Sequence, residues 1–277
     1  MVLEARVVNM EPTAPEDTGS KYEIRPFGPE KAQLIYDTLE KPNWAPWLAA
    51  SPETIAKRAE VFPEGQLAVW EGDQPVASLS LARFNYDGNP DNLPTWDHLA
   101  GDPPTYETTH VPNGNAVGMM SINVRPDKQG AGLTKEIIAA ARQATEKLGI
   151  EHVMGSFRPS QYGEYMEKDP KATMHEYAKL TSPDKSGVEL SVDKWVRALQ
   201  RNGMRLLRID DAAMVVSDIP LSQVEQWSQT YKPDKWKREG NIWRCGETGI
   251  WVVGGDRATY LESNVWGILD QPVAAQA

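Results

Sequence analysis

The chain has 277 residues, of which 29 are lysine or arginine and 39 are aspartate or glutamate, so its formal net charge is −10. This length allows a sizeable core, and no stretch approaches the run of about 18 apolar residues that a membrane span requires. The acidic excess gives no general attraction to nucleic acid or anionic lipid, and a single cysteine, Cys245, excludes an intramolecular disulfide or a cysteine-based zinc site.

Residues 1–20 are rich in proline, threonine and acidic side chains, and they lack the apolar segment of a secretory signal. We therefore expect a flexible leader on a cytoplasmic protein. Hydrophobic periodicity then predicts a strand at 22–26, a helix from Pro29, and a second helix for which Ser51 is the N-cap and Pro52 the first residue. Two strands, 66–71 and 75–85, follow around a tight turn.

Residues 86–115 form a polar, proline-containing stretch, and structureless segments of this length are often functional. The patterns downstream predict these elements: a strand at 117–124, a helix at 132–148, a strand at 150–157, a polar insert at 158–190, a helix at 191–202, and short strands at 204–209 and 213–216. Residues 219–277 hold five of the ten tryptophans, and we expect them to form a β-rich extension. These tryptophans would seal the extension onto the main domain or onto a second copy in a homodimer.

One segment carries chemistry: a strand runs through a glycine-containing turn, Gln129-Gly-Ala-Gly132-Leu-Thr134, directly into an amphipathic helix. Glycines allow the backbone to curl and let a ligand approach closely. The free amides at the start of the helix, supported by the helix dipole, form a site suited to a pyrophosphate. The segment lacks the Gly-Lys-Ser/Thr ending of a P-loop and the third glycine of a dinucleotide fingerprint, so both fit poorly.

The string 129–134 resembles the Gln/Arg-x-x-Gly-x-Gly/Ala signature of the GNAT superfamily of N-acetyltransferases, with Thr134 in place of the final small residue. Residues 123–126 resemble the family's fourth strand, and the element order over 22–217 resembles its topology. The resemblance implies an α+β fold: a central mixed, mostly antiparallel and twisted sheet, splayed between strands 4 and 5 and flanked by helices. The GNAT domain would cover 21–218, with the tryptophan-rich β extension at 219–277 packed on it.

This resemblance implies an acyltransferase that uses acetyl-CoA or another acyl-CoA as co-substrate, with no metal. The acyl group would pass by direct attack to an amine of a small-molecule acceptor, and catalysis would consist largely of proximity. The donor arm would pair with the fourth strand as an added strand does. The implied cofactor-binding residues are Ser121, Ile122, Asn123, Val124, Gln129, Gly130, Ala131, Gly132, Leu133 and Thr134.

A second, more distant resemblance involves 62–66, 155–165 and 201–204, which look like a GNAT-like branch with a long insert after the fifth strand. Some members of that branch decarboxylate malonyl groups and pass the acyl chain to a carrier protein, using a threonine and a histidine. The matching positions here hold Ser156 and Asn202. An S-acyltransferase or decarboxylase acting on carrier-protein thioesters in a biosynthetic pathway is therefore one alternative. A catalytically degenerate CoA-binding module is another.

Several side chains are candidates for the chemistry, each with a structural alternative. Glu107 or His110 would serve as general base, and Tyr162 or Tyr165, after the fifth strand, would protonate the thiolate. Each of these residues has an ordinary loop or packing role as its alternative. Ser156 is a candidate nucleophile or simply a small residue in a crowded strand. The candidate substrate-binding residues are Trp44, Trp47, Arg158 and Asn202, for which core packing or a structural ion pair is the alternative.

Overall fold

The computed structural model describes residues 21–101, 109–247 and 249–269. Its strands are β1 (Glu23–Pro26), β2 (Gln66–Glu71), β3 (Gln74–Phe84), β4 (Ala116–Val124), β5 (His152–Phe157), β6 (Thr181–Pro183), β7 (Glu189–Ser191), β8 (Arg205–Pro220), β9 (Lys237–Glu239), β10 (Ile242–Arg244), β11 (Ile250–Gly254) and β12 (Arg257–Ile268). Its α-helices are α1 (Ala32–Ile35), α2 (Pro52–Val61), α3 (Trp96–Ala100), α4 (Leu133–Lys147), α5 (Tyr162–Lys168), α6 (Met174–Tyr177), α7 (Lys194–Arg201) and α8 (Leu221–Thr230). Among these residues, no helix has both the length and the apolar character needed to cross a bilayer.

The helices begin and end where their sequences predict. At α2 the Ser51 hydroxyl accepts a hydrogen bond from the backbone N–H of Thr54 at 3.1 Å, and Pro52 is the first helical residue. At α4 Gly132 is a left-handed N-cap, and Gly149 follows the helix with a φ of 64°. The helices predicted to begin at Pro29 and Pro52, and the helix predicted at 132–148, are therefore confirmed, with α1 continued by a π-helical turn at Tyr36–Glu40.

A large sheet orders its strands β1-β2-β3-β4-β5-β12-β11-β10-β9, and β8 pairs with β12. Every pairing in this sheet is antiparallel except that of β4 with β5. The parallel register runs only from Ala116 opposite His152 to Met119 opposite Gly155, whereas β4 continues to Val124. The two strands therefore part beyond Met119 and leave a gap in the sheet.

Alternating side chains give the sheet two packed faces, as the period of a β-strand requires. From β2, Leu67 and Val69 join a core with α4 and α7, whereas Ala68 and Trp70 join a second core with α1 and α2. The buried stripe of α4, which includes Ile137 and Ala141, covers the first face. The helix that follows the glycine turn is thus held rigidly against the sheet.

The C-terminal part of the chain differs from the prediction. Residues 205–220 form one strand, β8, and not two, because an irregularity between Asp210 and Met214 keeps both halves paired with β12. The expected β-rich extension also contains a helix, α8, and its last strand lies inside the central sheet, with Val265–Ile268 paired to Met154–Phe157. The expected domain boundary near residue 219 remains a prediction. The strand β12, which lies beyond this boundary, is itself a strand of the main sheet.

Candidate functional site

The glycine turn before α4 has the geometry of an anion site. Gly130 and Gly132 have φ angles of 82° and 80°, and a Cβ atom built on either would meet nothing within 4 Å. In the described residues, no hydrogen-bond acceptor lies against the amides of Gly130, Gly132, Leu133 and Thr134. The amide of Ala131 donates instead to the carbonyl of Lys128 at 3.3 Å. Four free amides at the positive end of a fifteen-residue helix favour a phosphate.

This turn lies along a cleft of about 630 Å³. The opposite wall comes from α7, through Trp195, Ala198 and Leu199. The predicted cofactor-binding residues that line the cleft are Ile122, Asn123, Val124, Gln129, Gly130, Gly132, Leu133 and Thr134. The fold therefore brings the exposed end of β4 and the glycine turn together, as the prediction requires, whereas Ser121 and Ala131 do not line the cleft.

Two lysines, Lys128 and Lys135, give the cleft its positive charge near the turn. Lys128 Nζ lies 2.8 Å from a carboxylate oxygen of Glu71, which also pairs with Lys21. Hydrogen bonds from these two lysines lower the pKa of Glu71 to about 2. Glu71 thus remains ionised at neutral pH and neutralises part of the charge that an anion in the cleft would meet.

A smaller cavity of about 190 Å³, called the window here, lies where β4 and β5 part. Its walls are Met119–Ile122 on β4 and Ser156–Arg158 at the end of β5, together with three indole rings. The window shares Trp44, Ile122, Arg158 and Trp195 with the cleft. A ligand that extends from the glycine turn along β4 would therefore reach the window.

Ser156 is 7% exposed and lines the window. Its hydroxyl oxygen has no hydrogen-bond partner within the described part of the chain. A buried hydroxyl without a partner is unfavourable by about 1–3 kcal/mol, so it is an unusual feature of a strand interior. Of the predicted catalytic residues described by the structure, only Ser156 lies at the window.

Arg158 is held in a buried ion pair. Its Nε donates to Oε2 of Glu262 at 2.7 Å, and its Nη2 donates to the same oxygen and to the Tyr260 hydroxyl at 2.6 Å. Burial alone would lower the pKa of Arg158, but the Glu262 carboxylate raises it above its usual range. The guanidinium carbon also lies 5.1 Å from the ring centre of Trp44. Arg158 is therefore a structural ion-pair residue that also borders the cleft and the window.

Trp44 is fixed by a second buried carboxylate. Its Nε1 donates to Oδ1 of Asn123 at 2.7 Å, and Nδ2 of Asn123 donates to Oε2 of Glu40. The other oxygen of Glu40 accepts from the backbone N–H of Ala50 at 2.9 Å. Glu40 is 4% exposed, and burial raises the pKa of its carboxyl group. The indole of Trp44 is thus connected to the strand that faces the cleft.

A third space of about 470 Å³, called the side cavity, continues from the window. The two share Met120 and Ser121 of β4, as well as Trp44. Hydroxyl and charged groups line the side cavity, and Glu40 and Arg58 lie at its buried end. Trp44 borders the cleft, the window and the side cavity, so its ring is the common wall of all three.

Other predicted residues lie elsewhere. His110 packs against the Phe62 ring at 5.4 Å and lines none of these three cavities, and burial lowers its pKa. Tyr162 donates its hydroxyl hydrogen bond to the carbonyl of Ala172 at 3.0 Å. Tyr165 packs on the ring of Tyr177 at 5.0 Å. The helix that follows β5 turns both tyrosines into its own core, away from the window. Glu107 lies outside the described residues.

The remaining two substrate candidates have mixed roles. Trp47 borders the side cavity, but its ring also packs edge-on against Trp227 at 5.8 Å and Trp251 at 6.4 Å. Asn202 lines the cleft, yet its side-chain amide donates to the carbonyl of Ala198 and closes α7. Trp47 and Asn202 therefore each stabilise the fold as well as line a cavity.

Sequence reasoning missed several residues of the site, among them Glu40, Trp96 and Glu262. Trp96 donates its indole N–H to the carbonyl of Met120 at 2.9 Å and lies in the long polar stretch that was singled out as functional. Glu40 and Glu262 gave no local signal, because a carboxylate on a helix or strand is ordinarily solvent-exposed. Across 21–101, 109–247 and 249–269, no group of three or more potential metal ligands is present.

No family model matches the chain, and no curated protein matches it. Many solved structures are similar to this chain, among them two GNAT-like proteins. The loading GNATL domain of CurA from Lyngbya majuscula superimposes with a TM-score of 0.55 at 22% identity, covering 68% of this chain and 86% of that domain. The GNAT-like decarboxylase GphF, solved in complex with isobutyryl-CoA, gives a TM-score of 0.55 at 19% identity and covers 69% and 90%. The expected fold is confirmed, including the mixed sheet that opens between β4 and β5.

Proposed function

On the premise that this chain has the GNAT fold, we propose that it is an acyl-CoA-dependent acyltransferase. The observation that carries the proposal is the set of four unpartnered amides at Gly130, Gly132, Leu133 and Thr134, at the head of the cleft. Such a cluster binds a diphosphate without any further charged group. A coenzyme anchored there would extend along the edge of β4 that no longer pairs with β5 beyond Met119.

The thioester of this coenzyme would then lie in the window, next to Ser121 and Ile122. The side cavity opens onto the same place and would admit the acceptor, which we propose is a small molecule with an amine. Direct attack of the amine on the thioester carbon forms the new bond and releases the CoA thiolate, while the amine proton leaves to a base or to water. Holding both reactants in one window supplies the catalysis through proximity.

A second candidate is an S-acyltransferase or decarboxylase acting on carrier-protein thioesters. Two observations favour it: the similarity of the fold to the CurA loading domain and the GphF decarboxylase, and the unpartnered hydroxyl of Ser156 at the window. None of the four histidines lines the cleft or the window, so the imidazole that the branch's chemistry uses has no counterpart among the lining residues. We therefore place this candidate second, ahead of a catalytically inactive CoA-binding module.

The test is incubation of the purified protein with acetyl-CoA and, separately, with malonyl-CoA, followed by mass spectrometry. Transfer to an added amine, or slow hydrolysis of acetyl-CoA, supports the first candidate. Release of carbon dioxide from malonyl-CoA supports the second, and stable unreacted complexes support an inactive module. Calorimetry with CoA tests the premise of the first and third candidates, because a protein without measurable CoA affinity excludes both of them.

A further inference from the structure

The buried carboxylate of Glu40 is connected through Asn123 to the indole of Trp44, which it does not contact directly. Its two oxygens accept from two different donors, the backbone N–H of Ala50 and the side-chain amide of Asn123. The same Asn123 accepts from the indole N–H of Trp44. Asn123 is 2% exposed, so water cannot easily replace either partner. The three side chains form a relay in which each hydrogen bond fixes the orientation of the next group.

The orientation of Asn123 is set by both of its neighbours. An amide has one donor end and one acceptor end, a carboxylate only accepts, and an indole N–H only donates. The NH₂ group of Asn123 therefore faces Glu40, and its amide oxygen faces Trp44. The two contacts favour the same orientation of the amide, so a donor in place of the Glu40 oxygen would oppose the contact with the indole.

The relay matters because of the position of Trp44. Its ring is the common wall of the cleft, the window and the side cavity, and it lies beneath the guanidinium of Arg158. The neighbouring Asn43 donates to the backbone carbonyl of Val124 at 3.2 Å, so this loop is tied to β4 at two successive residues. A shift of the indole would change the shape of the window where the cleft and the side cavity meet.

We propose that Glu40 is a positioning residue that acts through Asn123 to hold the indole of Trp44 in place as the wall shared by the cleft, the window and the side cavity. The functional part of this inference rests on the proposed acyl-CoA function, whereas the structural part does not. Glu40 does not contact the reacting atoms. By holding the indole, it keeps the window narrow and so limits the access of water to a thioester placed there.

A pair of conservative substitutions tests the relay by exchanging its donors and acceptors. In Glu40→Gln, the glutamine oxygen accepts from the backbone N–H of Ala50. The glutamine NH₂ group then faces the NH₂ group of Asn123. If Asn123 rotates to relieve this conflict, its NH₂ group faces the indole N–H. In Asn123→Asp, two carboxylates face each other. In the double variant, the glutamine donates to the aspartate, which still accepts from Trp44, and every group is again satisfied.

The direct readout is the indole N–H of Trp44, observed by NMR and assigned from its absence in Trp44→Phe. All variants are compared at one pH, and the parent is followed across a pH series because burial raises the pKa of Glu40. We expect its hydrogen exchange to be about tenfold faster in each single variant, the scale of one net hydrogen bond, and to return near the parent rate in the double variant. The double variant also removes a charge near Arg58, so its overall stability need not recover. Recovery of this one signal distinguishes positioning from general stabilisation.

The functional readout is hydrolysis of acetyl-CoA without an acceptor, measured as released thiol. We expect kcat for hydrolysis to rise several-fold in the single variants and to fall back in the double variant, while KM changes little. An unchanged indole signal in Glu40→Gln, or a double variant that restores neither readout, overturns the inference. If Asn123→Asp does not fold, Glu40→Gln and the double variant still decide. If the parent binds no acetyl-CoA, the proposed function fails, and the indole signal alone decides the role of Glu40.

Discussion

Arg158 and Glu262, which are 104 residues apart in sequence, meet in a hydrogen-bonded ion pair between the end of β5 and β12. The Glu262 side chain is 2% exposed and that of Arg158 is 23% exposed. The pair therefore joins the window to the last strand of the sheet. It also occupies Nε and Nη2 of the guanidinium, which limits what this arginine has available for a substrate.

Removal of the Glu262 carboxylate should strongly destabilise the folded protein. Glu262→Ala leaves Arg158 charged and without its counter-ion, and breaking a buried pair in this way costs about 3 kcal/mol. Urea denaturation measures the loss. The matched control is Glu239→Ala, which removes the exposed partner of Arg244 and should cost less than about 1 kcal/mol. Equal losses in the two variants would show that the Arg158–Glu262 pair contributes no more than a surface contact.

Substitution of Gly132 by leucine should abolish CoA binding while the protein remains folded. The left-handed backbone strains any side chain there, and the leucine would project over the free amides of the turn. Gly149→Leu is the control, because Gly149 has a similar φ and equally open surroundings at the other end of α4. Both variants should lose similar stability, but only Gly132→Leu should lose affinity by calorimetry. Unchanged affinity in Gly132→Leu would contradict the assignment of the turn.

Neutralisation of Glu71 should strengthen CoA binding. Glu71→Gln frees Lys128, which lines the cleft, from its partner, so the lysine charge becomes available to a phosphate. We expect affinity to rise about twofold to fivefold at low salt, and the gain to shrink as salt is added. Glu146→Gln removes the same charge near the far end of α4 and should have little effect. An equal gain in both variants would indicate net charge as the cause, and not Lys128.

The burial of His110 predicts a specific pH dependence of stability. Because burial lowers the pKa of the folded-state imidazole below the usual 6.5, its contribution is present above that pH and is lost as the pH falls through it. Urea midpoints at pH 7.5 and 5.5 should therefore differ less in His110→Gln than in the parent. Replacement of the exposed His98 should leave the parent's difference unchanged.

The same His110→Gln variant tests the catalytic hypothesis for this residue. Since His110 packs on Phe62 and lines none of the three cavities, we expect acyl transfer to be unchanged. A fall in kcat much larger than any change in KM would return His110 to consideration as the base.

Local patterns predicted α1, α2, α4 and α7 and the strands β1 to β5, because capping residues and periodicity act over a few positions, but they missed α3, α5, α6 and α8. Ser51 and the glycines at the two ends of α4 are examples of such local signals, whereas the gap beside β4 was expected from the family resemblance. The single strand β8 was missed since the irregularity near Asp210 interrupts its alternation, and only pairing with β12 keeps the two halves together. Propensity alone does not report such a distant partner.

The polar groups of the site were harder to predict for the same reason. Glu40 is 83 residues from Asn123, and Arg158 is 104 residues from Glu262. Tyr162 and Tyr165 follow β5 closely in sequence, yet they lie on a helix that packs them into the core, and neither lines the window. Proximity in sequence to β5 indicated which segment lies near the site, whereas the direction of each side chain depended on tertiary packing.

The location of β12 has a consequence for how the molecule is made. Residues 257–268 pair with β8 on one edge and with β5 and β11 on the other. These three strands are synthesised earlier, and their pairing is incomplete until residues 257–268 are made. Until this segment leaves the ribosome, β5 presents an open edge, and Arg158 has no counter-ion. Contacts between such distant segments form slowly, and open edges invite aggregation. Translation should thus yield a nascent protein that depends on chaperones until its final strand emerges.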